Sequence, residues 1–162
     1  MKTPIVCLAT IVLIVSASTG SQAKNSGKLP KGAVPLTEAQ VHALYDGKSV
    51  DWKVSQVRWN ADGTAIGYYP KKGNEGFGDG TWTVKGNEMC SDMKWRGDVK
   101  AEAPFEVITC QTLFYAGKKM WVVETKNEDK YLNDVWTGLE KKLTSKDLVT
   151  KNYNAIKVKF GY

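Results

Sequence analysis

Apolar and polar residues alternate in short runs through most of the chain, the period-two signature of half-buried strands. Val50, Trp52 and Val54 interleave with Asp51 and Lys53, and Val57 and Trp59 continue the run. Asn60-Ala61-Asp62-Gly63 then has hairpin-turn chemistry, and residues 64–69 read as the returning strand. Residues 71–80 carry four glycines and both signs of charge and read as a loop. Beyond it, Trp82 and Val84 face one way and Thr81 and Thr83 the other. Lys85-Gly86-Asn87 turns the chain into a strand over residues 88–95, and residues 96–104 read as a polar loop. Strands over 105–115 and 119–125 flank an Ala116-Gly117-Lys118 turn. A charged turn over 126–130 leads to a strand over 131–136.

Two stretches break the alternation. Thr37 and Gln40 form a capping box, Leu36 and Val41 a hydrophobic staple, and Gly47 a left-handed stop, which predicts a short helix over residues 38–46. Val41, Leu44 and Tyr45 give that helix one apolar face. Near the end, Leu143-Thr144 ahead of Asp147 and Leu148 repeats the capping pattern and predicts a helix over residues 145–151. Ile156, Val158 and Phe160 then alternate with Lys157 and Lys159, predicting a final strand with one basic face.

About eight short strands joined by hairpin-length turns predict a mainly β fold, an antiparallel meander closing into a small barrel. A short N-terminal helix and a C-terminal helix plus strand complete it; a β-sandwich is the main rival.

The first residues read as an address. Met1-Lys2 is basic, residues 5–15 are apolar but short for a membrane span, and Ser21-Gln22-Ala23 offers a small-residue cleavage site. The organisation expected is a signal peptide over residues 1–23, a flexible linker over 24–35, and one β-rich domain over 36–162. Cleavage would leave 139 of the 162 residues and reduce the net charge from +6 to +5, because only Lys2 is lost. It would also remove Cys7 and leave Cys90 and Cys110, an even pair that reads as a disulfide in an exported protein; a redox-active dithiol is the alternative. These observations predict a periplasmic or secreted protein with no remaining transmembrane anchor.

Several residues together resemble a family of small exported proteobacterial proteins whose β-rich domain has no assigned function. They are the run from Leu36-Thr37 through Tyr45-Asp46-Gly47-Lys48 to Val50, then Asp62-Gly63-Thr64 with Gly67. Gly80-Thr81-Trp82, Val84, Gly86-Asn87, Met89-Cys90 and Cys110 complete the set. The resemblance covers roughly residues 36–124 and implies an exported β-rich domain with no known activity, so it contributes no catalytic residues. The order of barrel, helix and strand is similar in shape to lipocalins. Their Gly-x-Trp signature lies on the first strand, however, whereas Gly80-Thr81-Trp82 lies mid-chain.

The candidate chemistry is sparse. His42 is the single histidine, so a Ser-His-Asp or Cys-His device would depend on it, and no Gly-x-Ser-x-Gly elbow is present. The glycine-rich run lacks a Gly-Lys-Ser/Thr ending. Asn74, Glu75 and Asp79 have no EF-hand spacing. Glu75, Asp79, Glu88 and Asp92 qualify as glycosidase carboxylates by residue type only. Arg96-Gly97-Asp98 spells an adhesion tripeptide that reads as a surface turn. The expectation is no enzyme, no cofactor, no metal and no nucleic acid.

Tryptophans at 52, 59, 82, 95, 121 and 136 either fill the interior or line a ligand cavity, with Trp52, Trp59, Trp82 and Trp121 the candidates for ligand contact. Residues 137–162 hold six lysines against two acids, a local charge of +4. Lys141, Lys142, Lys157 and Lys159 are therefore candidates for contact with an anionic polysaccharide or envelope surface, beside the plainer reading of a solvated basic face. The function expected is a non-catalytic binding module for a small apolar or carbohydrate ligand. The alternative is an envelope interaction protein, or an inhibitor of a secreted enzyme, acting through the basic C-terminal face.

Overall fold

A computed structural model describes residues 27–97, 103–127 and 130–162, with the side chains of residues 130 and 131 outside the description. The expected signal peptide, the first three residues of the linker and Asp98 of the Arg-Gly-Asp turn lie outside the described residues.

The chain is mainly β, an antiparallel sheet curled into a half-barrel. Its described strands are β1 (Val34–Pro35), β2 (Lys48–Asp51), β3 (Gln56–Trp59), β4 (Thr64–Tyr69), β5 (Gly76–Lys85), β6 (Glu88–Arg96), β7 (Phe105–Ala116), β8 (Lys119–Asn127), β9 (Lys130–Thr137) and β10 (Leu143–Thr144). They pair in the order β10-β2-β3-β4-β5-β6-β7-β8-β9, so the meander from β2 to β9 follows the chain. β1 adds to β7 where the β5–β6 hairpin has ended, pairing Val34 with Tyr115 and Pro35 with Phe114. The last two residues of the expected linker therefore belong to the sheet. The two edges of the curl, β9 and β10, are joined by a 3-10 turn (Leu139–Lys141). Next to that seam, the rings of Trp52 and Trp136 meet edge to face with centroids 6.0 Å apart.

Helix α1 (Glu38–Tyr45) starts on the expected capping box: the Gln40 amide donates to Thr37 Oγ1 at 3.3 Å, and the Thr37 amide donates to Gln40 Oε1 at 2.9 Å. Its inward side chains, Val41 and Tyr45, are fully buried against Trp59, Trp82, Met89 and Leu113 of the core. Burial of this kind stabilises by about 1.5–3 kcal/mol per large apolar side chain. The helix is a plug over one end of the half-barrel.

Three local expectations are corrected. The strand expected through Val54 stops at Asp51: its carboxylate accepts from the Lys53 amide at 2.6 Å and from Gln56 Nε2 at 3.1 Å. Trp52–Ser55 becomes a tight turn with Lys53 in the left-handed region, φ 70°, and Val54 is 64% exposed. Secondly, the glycine-rich loop ends at Gly76 rather than Gly80, because Gly76–Lys85 is one continuous strand. Its glycines are there for close packing across the sheet, described below.

The third correction is the tail. Leu143–Thr144 is a strand, and α2 (Thr150–Lys159) replaces the expected helix over 145–151 and the strand around Ile156. Asp147 does the capping, its Oδ1 accepting from the amides of Val149 at 2.9 Å and Thr150 at 3.0 Å. Val149, Tyr153, Ile156 and Phe160 recur at helical spacing, a longer pattern that outweighs the local alternation. Tyr153 packs edge to face on Phe77, which also meets Tyr162, so α2 covers the outer face of β4 and β5 while Val158 stays exposed.

Candidate functional site

Alternation along the strands sorts side chains between a convex and a concave face. The Cys90–Cys110 disulfide lies on the convex side, joining directly paired positions of β6 and β7 with Cα atoms 4.1 Å apart. Glu88 approaches the two sulfurs, but both are committed to each other. Asp79 pairs with Arg96 at 3.0 Å and Glu75 with Lys159 at 3.5 Å. The carboxylates weighed for calcium or for glycoside hydrolysis are thus spread over both faces, Asp79 and Asp92 alternating away from the concave wall.

The concave face encloses a cavity of about 780 Å³. The register lays its wall down in cross-strand rows. One runs Val57, Gly67, Gly78, Trp95 and Phe105 from β3 to β7, and the next Trp59, Ala65, Gly80, Met93 and Val107. Gly67 and Gly78 leave a trough in which the Trp95 indole lies flat. A Cβ on Gly78 would sit 2.8 Å from Trp95 Cδ2, and one on Gly67 would sit 2.9 Å from Cζ2 and nearer still to Cη2. At Gly80 a Cβ would collide with the Asp92 carbonyl. Gly67 and Gly78 therefore seat the Trp95 indole against the sheet, and Trp95 and Phe105 line the cavity.

Four tryptophans reach the cavity: Trp52, Trp59, Trp95 and Trp136. Trp52 and Trp59 are two of the four expected ligand-contact residues. Trp82 is placed elsewhere, at the plugged end, its indole donating to the Asn60 carbonyl at 2.8 Å and its ring 4.9 Å from that of His42. Trp121 is also outside the cavity, on the opposite face of β8 from buried Met120 and Val122. Trp95 and Trp136 were not among the expected contacts. The signal for Trp95 was the spacing of Gly76, Gly78 and Gly80, a period-two run of small residues that marks one face of a strand rather than a loop.

Ser55, Asn74, Glu75, Arg96 and Lys142 also line the cavity, and a second set of polar groups lies on two further rows. Ser91, Thr109 and Asn127 are aligned across β6, β7 and β8, and Met89, Gln111 and Glu124 form the row beside them. A register shift between Cys110 and Gln111 marks this place in β7. Gln111 is 5% exposed, and its Oε1 accepts from the Tyr45 hydroxyl at 2.9 Å. Burial pushes the Tyr45 pKa far above its ordinary value, which keeps that hydroxyl protonated as a donor. Asn127 Nδ2 donates to Glu124 Oε1 at 2.9 Å.

The four tail lysines do not share a face. Lys142 lies at the cavity, its ammonium 5.5 Å from the Trp52 ring centroid. Lys141 is exposed in the neighbouring 3-10 turn. Lys157 donates to the Tyr153 hydroxyl at 3.1 Å, and Lys159 pairs with Glu75. The strand that would have set Lys157 and Lys159 side by side is a helix.

A family model described as Protein of unknown function (DUF995) matches residues 10–139. No curated protein and no solved structure matches the chain.

Proposed function

The chain belongs to the family described as Protein of unknown function (DUF995), and we propose that it is a non-catalytic binding module that takes a small, mainly apolar ligand into the concave cavity. The observation that carries this reading is the combination of a 780 Å³ volume with walls of Trp52, Trp59, Trp95, Phe105, Met93 and Val107. Small-molecule sites are commonly about 300–1,000 Å³, apolar, with a few placed polar groups. The band of Trp59, Met93, Val107, Trp95 and Phe105 across the wall favours an apolar body over an oligosaccharide, the other ligand class considered. The Cys90–Cys110 bond supports an oxidising compartment, and with the leader-like residues 1–23 it favours a periplasmic or secreted protein. Contact of Lys141, Lys142, Lys157 and Lys159 with an anionic envelope surface is the weaker reading, since these lysines point to different places.

The test is titration with N-phenyl-1-naphthylamine, a neutral probe whose emission rises in apolar surroundings. Wild type should saturate at one equivalent, and Val107→Trp, which fills the wall, should bind at least tenfold more weakly while keeping its circular dichroism spectrum. Equal binding by both proteins would place the probe outside the cavity and defeat the proposal.

A further inference from the structure

Resting on that cavity reading, we propose that the polar rows of the wall select an uncharged ligand bearing a hydrogen-bond-accepting group, a carbonyl above all, on a flat apolar body. The floor carries donors that the fold leaves unused. Among the described residues Gln111 makes one side-chain hydrogen bond, through Oε1 to Tyr45, so that bond fixes the amide and leaves Nε2 with two free N–H groups on the cavity wall. Ser91 is 7% exposed and also lines the cavity, and neither its hydroxyl nor that of Thr109, directly opposite, has a partner among the described residues. Three unpartnered donor groups together on adjoining rows, beside the apolar band of Trp59, Met93 and Val107, are what a ligand acceptor would satisfy.

The same floor sets the charge. Glu124 is the direct cross-strand partner of Gln111 and lines the cavity, so a ligand carboxylate at the Gln111 amide would meet a like charge there; of the cationic lining residues, Arg96 is paired with Asp79 and Lys142 is held over the Trp52 ring. A neutral carbonyl accepts from Gln111 Nε2 and the two hydroxyls without that repulsion. The rings of Trp59 and Trp95, on the two rows that follow this floor, suit a planar body.

The test uses three probes of one size: 2-acetylnaphthalene, 2-ethylnaphthalene and 2-naphthoate, each titrated calorimetrically into the full mature chain. Wild type should bind the ketone about tenfold more tightly than the hydrocarbon, as one to two net hydrogen bonds provide, and the carboxylate more weakly than the ketone. Gln111→Met keeps the volume and should lose the ketone preference while still binding the hydrocarbon. Ser91→Ala with Thr109→Val leaves the Tyr45–Gln111 bond intact and should reduce the preference several-fold, which covers the case in which Gln111→Met fails to fold. Equal affinity for ketone and hydrocarbon in wild type overturns this inference and leaves the cavity reading standing, as does tightest binding of the carboxylate. Binding of none of the three overturns both.

Discussion

Gly67→Ala perturbs the cavity wall at one atom, and its effect can be worked from the packing. The new methyl would fall 2.9 Å from Trp95 Cζ2 and closer to Cη2, well inside ordinary contact. The glycine backbone is not in the left-handed region, so the conflict is with the indole alone. The ring must lift off the trough between Gly67 and Gly78, toward the cavity. Overpacking of this kind costs about 1–3 kcal/mol, and for a domain of this size that is about 4–12 °C in melting temperature. Trp95→Ala removes the obstacle. In that background the same Gly67→Ala change should be neutral or slightly stabilising, by about 0.5 kcal/mol, because alanine loses less backbone entropy on folding. The two substitutions should thus couple by about 1–3.5 kcal/mol in a double-mutant cycle. The assay is urea denaturation followed by circular dichroism, since fluorescence would be altered by the loss of Trp95 itself. Additive effects, or a Gly67→Ala protein as stable as wild type, would refute the stacked arrangement of Trp95 on the two glycines.

Two other predictions follow from residues outside the cavity. The mature protein should show no free thiol in non-reducing mass spectrometry, and Cys90→Ser with Cys110→Ser should lower stability by about 3 kcal/mol for a closed loop of this length; a separation of 20 residues sets that figure. Asp147→Asn should destabilise by about 1 kcal/mol at pH 7 through the weakened cap of α2, and the difference should close in acid. Burial alone would raise the Asp147 pKa, but hydrogen bonds from Thr150 and Val149 and the charge of Arg58 outweigh it and hold the group below its ordinary 3.8. A depressed carboxylate contributes stability above its unfolded pKa and loses it as pH falls through the folded value. Wild type and Asp147→Asn melts, run from pH 7 down to pH 2, should therefore converge below about pH 4; a constant gap would show that the charge has no part in the cap.

The sequence determined what depends on neighbours along the chain. Thr37, Gln40 and Gly47 specify where α1 starts and stops because capping bonds span three or four residues. Asp62-Gly63 and Lys85-Gly86-Asn87 specify hairpins because turn geometry is local, and successive hairpins make a meander without further instruction. Two cysteines on paired strands were legible once the strand alternation was. Tertiary structure decided the rest. The glycines of β5 read as a loop until β6 packs on them, the Trp95 ring over Gly78 and the Arg96 and Asp92 carbonyls against Gly76 and Gly80, since a residue with no side chain takes its state from what packs against it. The tail read as a strand because its alternating segment is short. The helix wins because Val149, Tyr153 and Ile156 find a distant apolar patch around Phe77 on the outer sheet. Which tryptophans line the cavity was equally out of reach. Trp82 and Trp95 alternate on the same face of adjacent strands, and only the curl of the sheet and the plug by α1 separate a core tryptophan from a cavity one. The cavity itself is a product of that curl: period two tells which face a side chain takes, and closure of the sheet tells whether that face is filled or hollow.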